Sequence, residues 1–143
     1  MFGGSDERTT ERRTNRFLAA FEREDAGAVR ALLDPGVTFV NRMPLSGDRD
    51  DAVVLAGREA VMGYFQQVAQ MGTIDFVGPD VTVAAGGGTS FAEADGDFVS
   101  ADGRPYENVY AFRFDWRDGR IVAGTEYASP LTFGQTFPIE ACA

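Results

Sequence analysis

The chain has 143 residues, 44% of them hydrophobic, and a net charge of −9. It therefore fits one globular domain and disfavours nucleic acid and anionic membrane surfaces as partners. It has no histidine and all thirteen basic residues are arginine, which excludes Ser-His-Asp triads, histidine-ligated metals, lysine Schiff bases and a P-loop lysine within one chain.

In chain order, the polar stretch 1–9 reads as a flexible lead, and the charge through Arg16 argues against a secretory signal. Phe17, Leu18 and Phe21 recur at helical spacing and predict a helix over Thr10–Arg23. Asp25 is placed to cap a short second helix carrying Val29, Leu32 and Leu33, which Pro35-Gly36 ends. Val37–Val40 predicts a short strand, and 44–56 a polar loop. A third helix runs from Arg58 to Met71, with Val61, Phe65 and Val68 on one face.

The second half predicts strands. Ile74–Ala84 is interrupted by a bulge at Gly78-Pro79, and Gly86-Gly87-Gly88 turns it into Thr89–Ser100. Asp102-Gly103 and Asp118-Gly119 are hairpin turns flanking the alternating run Tyr106–Trp116, and Ile121–Ala128 follows. The expected fold is α+β over one domain, 1–143. Three N-terminal helices pack on a curved antiparallel sheet, forming a cone with an internal pocket. No apolar run approaches the length of a membrane span. The lone Cys142 cannot form an internal disulfide, which fits a reducing cytoplasm.

Glu126 stands out. Side chains alternate along a strand, so Val122, Gly124 and Glu126 are expected on one face. A carboxylate among small and apolar neighbours is costly unless paired or used, which makes it the first candidate for an acid or base in a dry pocket. Polar candidates around it are Asn41, Tyr64, Tyr106 and Tyr110; Phe17, Phe39 and Gly124 are expected in the pocket wall. Glu93, Asp95 and Asp97 share one strand face, a pattern that by itself reads as a solvated or dimer-rim surface.

The run Tyr106-x-Asn108-x-Tyr110-x-Phe112-x-Phe114, followed by Asp118-Gly119-Arg120-Ile121, resembles the SnoaL-like superfamily. That superfamily shares its cone-shaped fold with nuclear transport factor 2 and ketosteroid isomerase. Ungapped comparison with ketosteroid isomerase puts its catalytic tyrosine, base and acid on Phe17, Asn41 and Tyr110, so both carboxyls are missing and Tyr110 is the one hydrogen-bond donor left. Asn41-Arg42-Met43-Pro44-Leu45 and Ile74-Asp75 resemble limonene-epoxide hydrolase, whose acid in the last strand falls on Glu126. Its Arg-x-Asp falls on Glu93-Ala94-Asp95, so Asp95 stands for the aspartate and the arginine is replaced by an acid. Tyr106-x-Asn108 and Glu126-Tyr127-x-x-Pro130 resemble the phenazine-biosynthesis A/B family, which also places an acid at Glu126.

These resemblances imply a cofactor-independent, metal-free acid/base enzyme on an apolar small molecule, working by epoxide opening, isomerisation or cyclisation in bacterial secondary metabolism. Glu126 would be the acid/base and Asp95 its partner, and a homodimer would form through the open sheet face. The alternative is a non-catalytic ligand-binding or dimeric interaction module of the same fold.

Overall fold

The structure, a computed structural model, describes residues 3–137, with side chains from Asp6 onward. The elements are α1 (Gly3–Glu22), α2 (Ala26–Ala31), β1 (Leu33–Asn41), β2 (Val53–Ala56), α3 (Arg58–Met71), β3 (Gly72–Val83), β4 (Thr89–Ser100), β5 (Pro105–Arg117), β6 (Arg120–Ala128) and α4 (Pro130–Thr136). Cys142 lies outside the described residues.

The six strands form one sheet in the order β2-β1-β6-β5-β4-β3. Neighbours run antiparallel, apart from the β1–β6 pair, which is parallel. The sheet stays open and curls around α1 and α3, giving the expected α+β cone. Local signals explain the elements. Asp25 caps α2 by accepting from the Ala28 amide. Strand β4 alternates buried and exposed residues from Ser90 to Ser100 without interruption. The register of β3 shifts between Val77 and Asp80, at the expected Gly78-Pro79 bulge.

Four expectations are corrected. Residues 3–9 are not a flexible lead but the first turns of α1. Glu7 there accepts from the Gly86 amide, and Thr10 donates to the Gly87 carbonyl at 2.6 Å, so the β3–β4 turn anchors the helix. Pro35-Gly36 does not end a helix. It sits inside β1, where the register against β6 slips between Leu33 and Thr38, and Leu33 and Val37, an even number of residues apart, both face the core. The polar loop 44–56 contains β2, a short edge strand paired to β1. A fourth helix, α4, follows the last strand: Ser129 caps it and Pro130 occupies its first turn.

The core lies between the helices and the concave face of the sheet. Phe17 and Leu18 of α1, Phe65 of α3 and Phe112 and Phe114 of β5 are all buried there. Each such side chain contributes about 1.5–3 kcal/mol by leaving water. Along β5, Tyr110, Phe112 and Phe114 stack almost parallel, with centroids 6.1 and 5.7 Å apart. Among the described residues no helix is long and apolar enough to cross a membrane.

Candidate active site

The rings do not fill the cone. A cavity of about 560 Å³ remains between α1, α3 and the concave face, within the usual range for small-molecule sites. Its walls carry Phe17, Phe39, Tyr64, Tyr106 and Tyr110 as expected, together with Asn41 and Glu126.

Glu126 reaches this cavity because of two register facts. The parallel pairing of β1 with β6 sets Asn41 directly beside Glu126, and the antiparallel pairing of β5 sets Phe112 on its other side. Its side chain is 7% exposed, and no arginine pairs with it among the described residues. Burial pushes its pKa up to about 7, against a smaller downward pull from a hydrogen bond with Tyr64. A carboxyl poised there gives or takes a proton near neutrality.

The hydrogen bonds around Glu126 form a short chain. The Tyr64 hydroxyl donates to Glu126 Oε1 at 3.1 Å, and Asn41 Nδ2 donates to the Tyr64 hydroxyl at 3.2 Å. Asn41 Oδ1 is buried with no partner. Burial raises the Tyr64 pKa well above its ordinary value, and the nearby Glu126 charge raises it further, so Tyr64 stays a donor. On β5, burial and the neighbouring Tyr106 hydroxyl push Tyr110 up, with the Glu126 charge adding to the effect. Tyr106 is pushed up by burial and held down by hydrogen bonds, the largest from Asn108 Nδ2 at 2.5 Å.

Glycines shape the walls from behind. Gly124 does not line the cavity: a Cβ there would meet the Phe39 ring at 2.7 Å, so its role is to seat Phe39. Gly96 plays the same part for Tyr110, whose ring would lie 2.2 Å from an added Cβ. Val122 does not share the face of Gly124 and Glu126. The β5–β6 register shifts between Asp115 and Trp116, and Ile121 becomes the buried residue instead.

Asp95 is not Glu126's partner. On β4 the inward positions are Ala92, Ala94, Gly96 and Phe98, and Glu93, Asp95 and Asp97 are exposed on the convex face. A period of two leaves no other outcome, because the apolar residues between the acids must face the core. Arg42 is likewise exposed and does not replace the missing arginine; its backbone amide binds the Glu126 carbonyl at 2.8 Å.

Sequence reasoning missed two parts of the wall. Met43, Leu45 and Val53, just before and within the 44–56 segment, form the rim, and Phe133 of α4 and its C-cap Phe137 form a floor. The floor is held by Asn108. Its Nδ2 donates to the Ser129 carbonyl, and its Oδ1 accepts from the Ser129 amide, both at 3.1 Å. Tyr106 then packs edge-on against Phe133 and Phe137. Ser129-Pro130 followed by phenylalanines four apart was the readable signal. Among the described residues no group of three or more acids or cysteines is placed to hold a metal ion.

The chain belongs to the SnoaL-like family: the family model described as a SnoaL-like domain matches residues 14–124. The match stops before Glu126, so the role of that residue rests on the geometry above. The fold is similar to a candidate isomerase from Bacillus subtilis, with a TM-score of 0.79 and 23% identity over 92% of this chain and 94% of that one. It is also similar to a candidate polyketide cyclase from Xanthomonas campestris, with a TM-score of 0.71 and 23% identity over 85% and 91% of the two chains. A third similar structure is an LEH-like epoxide hydrolase of M. tuberculosis, with a TM-score of 0.69 and 16% identity over 90% and 89%. At these identities the likeness is one of fold. No curated protein matches the chain.

Proposed function

We propose that this member of the SnoaL-like family is a cofactor-independent acid/base enzyme acting on an apolar small molecule, with Glu126 as its single proton carrier. The observation that carries the reading is a buried carboxyl without a charged partner, its pKa raised to about 7, in the wall of an apolar cavity of about 560 Å³.

Because Asp95 lies on the outside, one group must both give and return the proton. As the acid, Glu126 protonates a substrate oxygen while its C–O bond breaks and the electron pair goes to oxygen. As the resulting carboxylate, it removes a proton from a neighbouring carbon, or from a hydroxyl that attacks the same centre. The carboxyl is restored and the product is an isomer of the substrate. This cycle covers isomerising epoxide opening and cyclisation, and we place it in cytoplasmic bacterial secondary metabolism. Tyr64 steadies Glu126, while Asn41, Tyr106 and Tyr110 orient the substrate oxygen.

A positioned acid/base contributes roughly 10²–10⁴ in rate. Glu126→Gln should lose a factor of that order in turnover on a panel of apolar epoxides and polyketide-like ketones, with an unchanged circular dichroism spectrum. Undiminished turnover in that variant sinks the proposal. The second reading, a non-catalytic binding module, is favoured by the convex placement of Asp95 and the exposed Arg42, which leave Glu126 without a charged partner.

A homodimer is proposed on the convex face of the sheet, where Val77, Val109 and Tyr127 are exposed on β3, β5 and β6, with Asp95 of β4 between Val77 and Val109. Small-angle scattering should give twice the chain mass, and a monomer mass at micromolar concentration would reject it.

A further inference from the structure

The charges and rings of the cavity point to the kind of transition state it accommodates. Among the described residues, the charged side chains that line it are Glu126 and, at the exposed mouth, Asp51. Both are acids, and none of the thirteen arginines reaches the lining. The remaining walls mix aliphatic side chains with aromatic rings contributed by the helices, the sheet and the floor. Phe39 leans against Tyr64 at 6.0 Å beside Glu126, Tyr110 and Phe112 stack on β5, and Phe133 and Phe137 close the floor. Ring faces attract cations, and a buried carboxylate without a counter-ion does so more strongly.

An oxyanion beside Glu126 would meet a like charge and no arginine. The Tyr64 hydroxyl is spent on Glu126, and the Tyr110 hydroxyl donates to Tyr106. When Glu126 gives up its proton, the site therefore holds a lone negative charge and a ring-lined space beside it. A carbon centre left positive by C–O cleavage is its natural counter-ion.

We infer that the site is built for positive charge developing on substrate carbon, and that it binds a lipophilic organic cation in preference to the neutral molecule of the same shape. This rests on the reading of Glu126 as the proton carrier. It selects epoxide or ether opening through a cation-like carbon over enolate isomerisation. The cycle stays balanced: the proton that Glu126 gives to oxygen is recovered from the adjacent C–H, whose electrons close the alkene, or from the attacking hydroxyl.

The test is a matched pair of probes, benzyltrimethylammonium and neopentylbenzene, in which carbon replaces nitrogen. Affinity is measured by calorimetry or ligand-observed NMR at about pH 8.5 and about pH 5.5. The titratable groups facing Glu126 are Tyr64 from α3 and Tyr106 and Tyr110 from β5, all raised and neutral across this range. Glu126 alone changes charge there. At the higher pH the cation should bind at least ~10-fold tighter than its isostere. The preference should shrink at the lower pH and vanish in Glu126→Gln.

Equal or tighter binding of neopentylbenzene at pH 8.5, or binding of neither probe, overturns the inference. So does a preference that survives in Glu126→Gln, since it would then come from the overall charge of −9. The two proposals fail separately. Loss of turnover in Glu126→Gln without any cation preference keeps the proton carrier and removes the cationic transition state. Cation preference with undiminished turnover keeps the cation-binding cavity and removes both the proton carrier and the transition state that rests on it.

Discussion

Ser90 and Glu126 are both buried polar residues on the concave face, on the two strands flanking β5, Ser90 opposite Phe114 and Glu126 opposite Phe112, and their surroundings differ in kind. At the Trp116 end, Ser90 Oγ accepts the indole N–H at 2.9 Å and lies 2.8 Å from the Thr14 hydroxyl, which also donates to the Thr10 carbonyl at 2.7 Å. No side-chain polar atom of this cluster is left over. Across β5, Glu126 has one hydrogen-bonding side chain, Tyr64, and the adjacent Asn41 Oδ1 has none. Buried polar groups are normally satisfied, and the exceptions call for a reason. The Ser90 cluster spends its polar groups on fixing α1 to the sheet. The Glu126 cluster holds a carboxyl in a state the fold disfavours, as a site for chemistry does.

The difference predicts opposite effects of removing polarity. Glu126 has a folded pKa of about 7 against 4.5 when unperturbed. Between those values the unfolded chain has lost the proton and the folded chain keeps it, so stability falls as pH rises through the window and stays low above it. The loss amounts to ~3 kcal/mol above pH 7. Glu126→Gln removes the titration, so the variant should be more stable than the parent by about that order at pH 8, with the advantage closing by about pH 4.5. Urea unfolding at several pH values reads this directly. A variant less stable at pH 8 would mean that Glu126 is a structural carboxylate and that the comparison is mistaken.

Ser90→Ala should act the other way and by less. It removes the acceptor of the Trp116 indole N–H in a place no water reaches. The cost is about 1–3 kcal/mol. The loss should be the same at pH 5 and pH 8, because nothing in that cluster titrates. A loss that varies with pH would show that the two clusters are coupled.

How much of this was legible in the sequence depends on range. Alternation is local, so the helix face of α3, the buried face of β4 and the inward Glu126 could all be read. The same alternation puts Asp95 outside, between inward Ala94 and Gly96, against the family position that it matches. Bulges defeat the count: the slip in β6 moved the core position from Val122 to Ile121. Pairing is non-local. Nothing near Asn41 in the sequence announces that a parallel register brings it to Glu126 or that Tyr64 bridges the two. The floor was legible through Ser129-Pro130, but its purpose depends on Asn108, twenty-one residues away in sequence.

Tyr64→Phe probes the hydrogen-bond chain with the smallest expected change. It deletes the one hydrogen bond that pulls the Glu126 pKa down, and it strips Asn41 Nδ2 of its acceptor. Burial then acts on Glu126 unopposed, so its titration midpoint must rise above about 7. The folded value moves further from 4.5, and the pH range over which stability is lost extends upward by the same amount. The hydrogen bond itself is worth about 1 kcal/mol. The stability change at low pH should therefore be small, while the Glu126 carboxyl shift followed by carbon-13 NMR should move clearly to higher pH. If Glu126 works as the acid, the alkaline limb of the turnover profile moves with it. A midpoint that stays in place would mean that Tyr64 points away from Glu126 in solution. The carboxyl would then owe its state to burial alone.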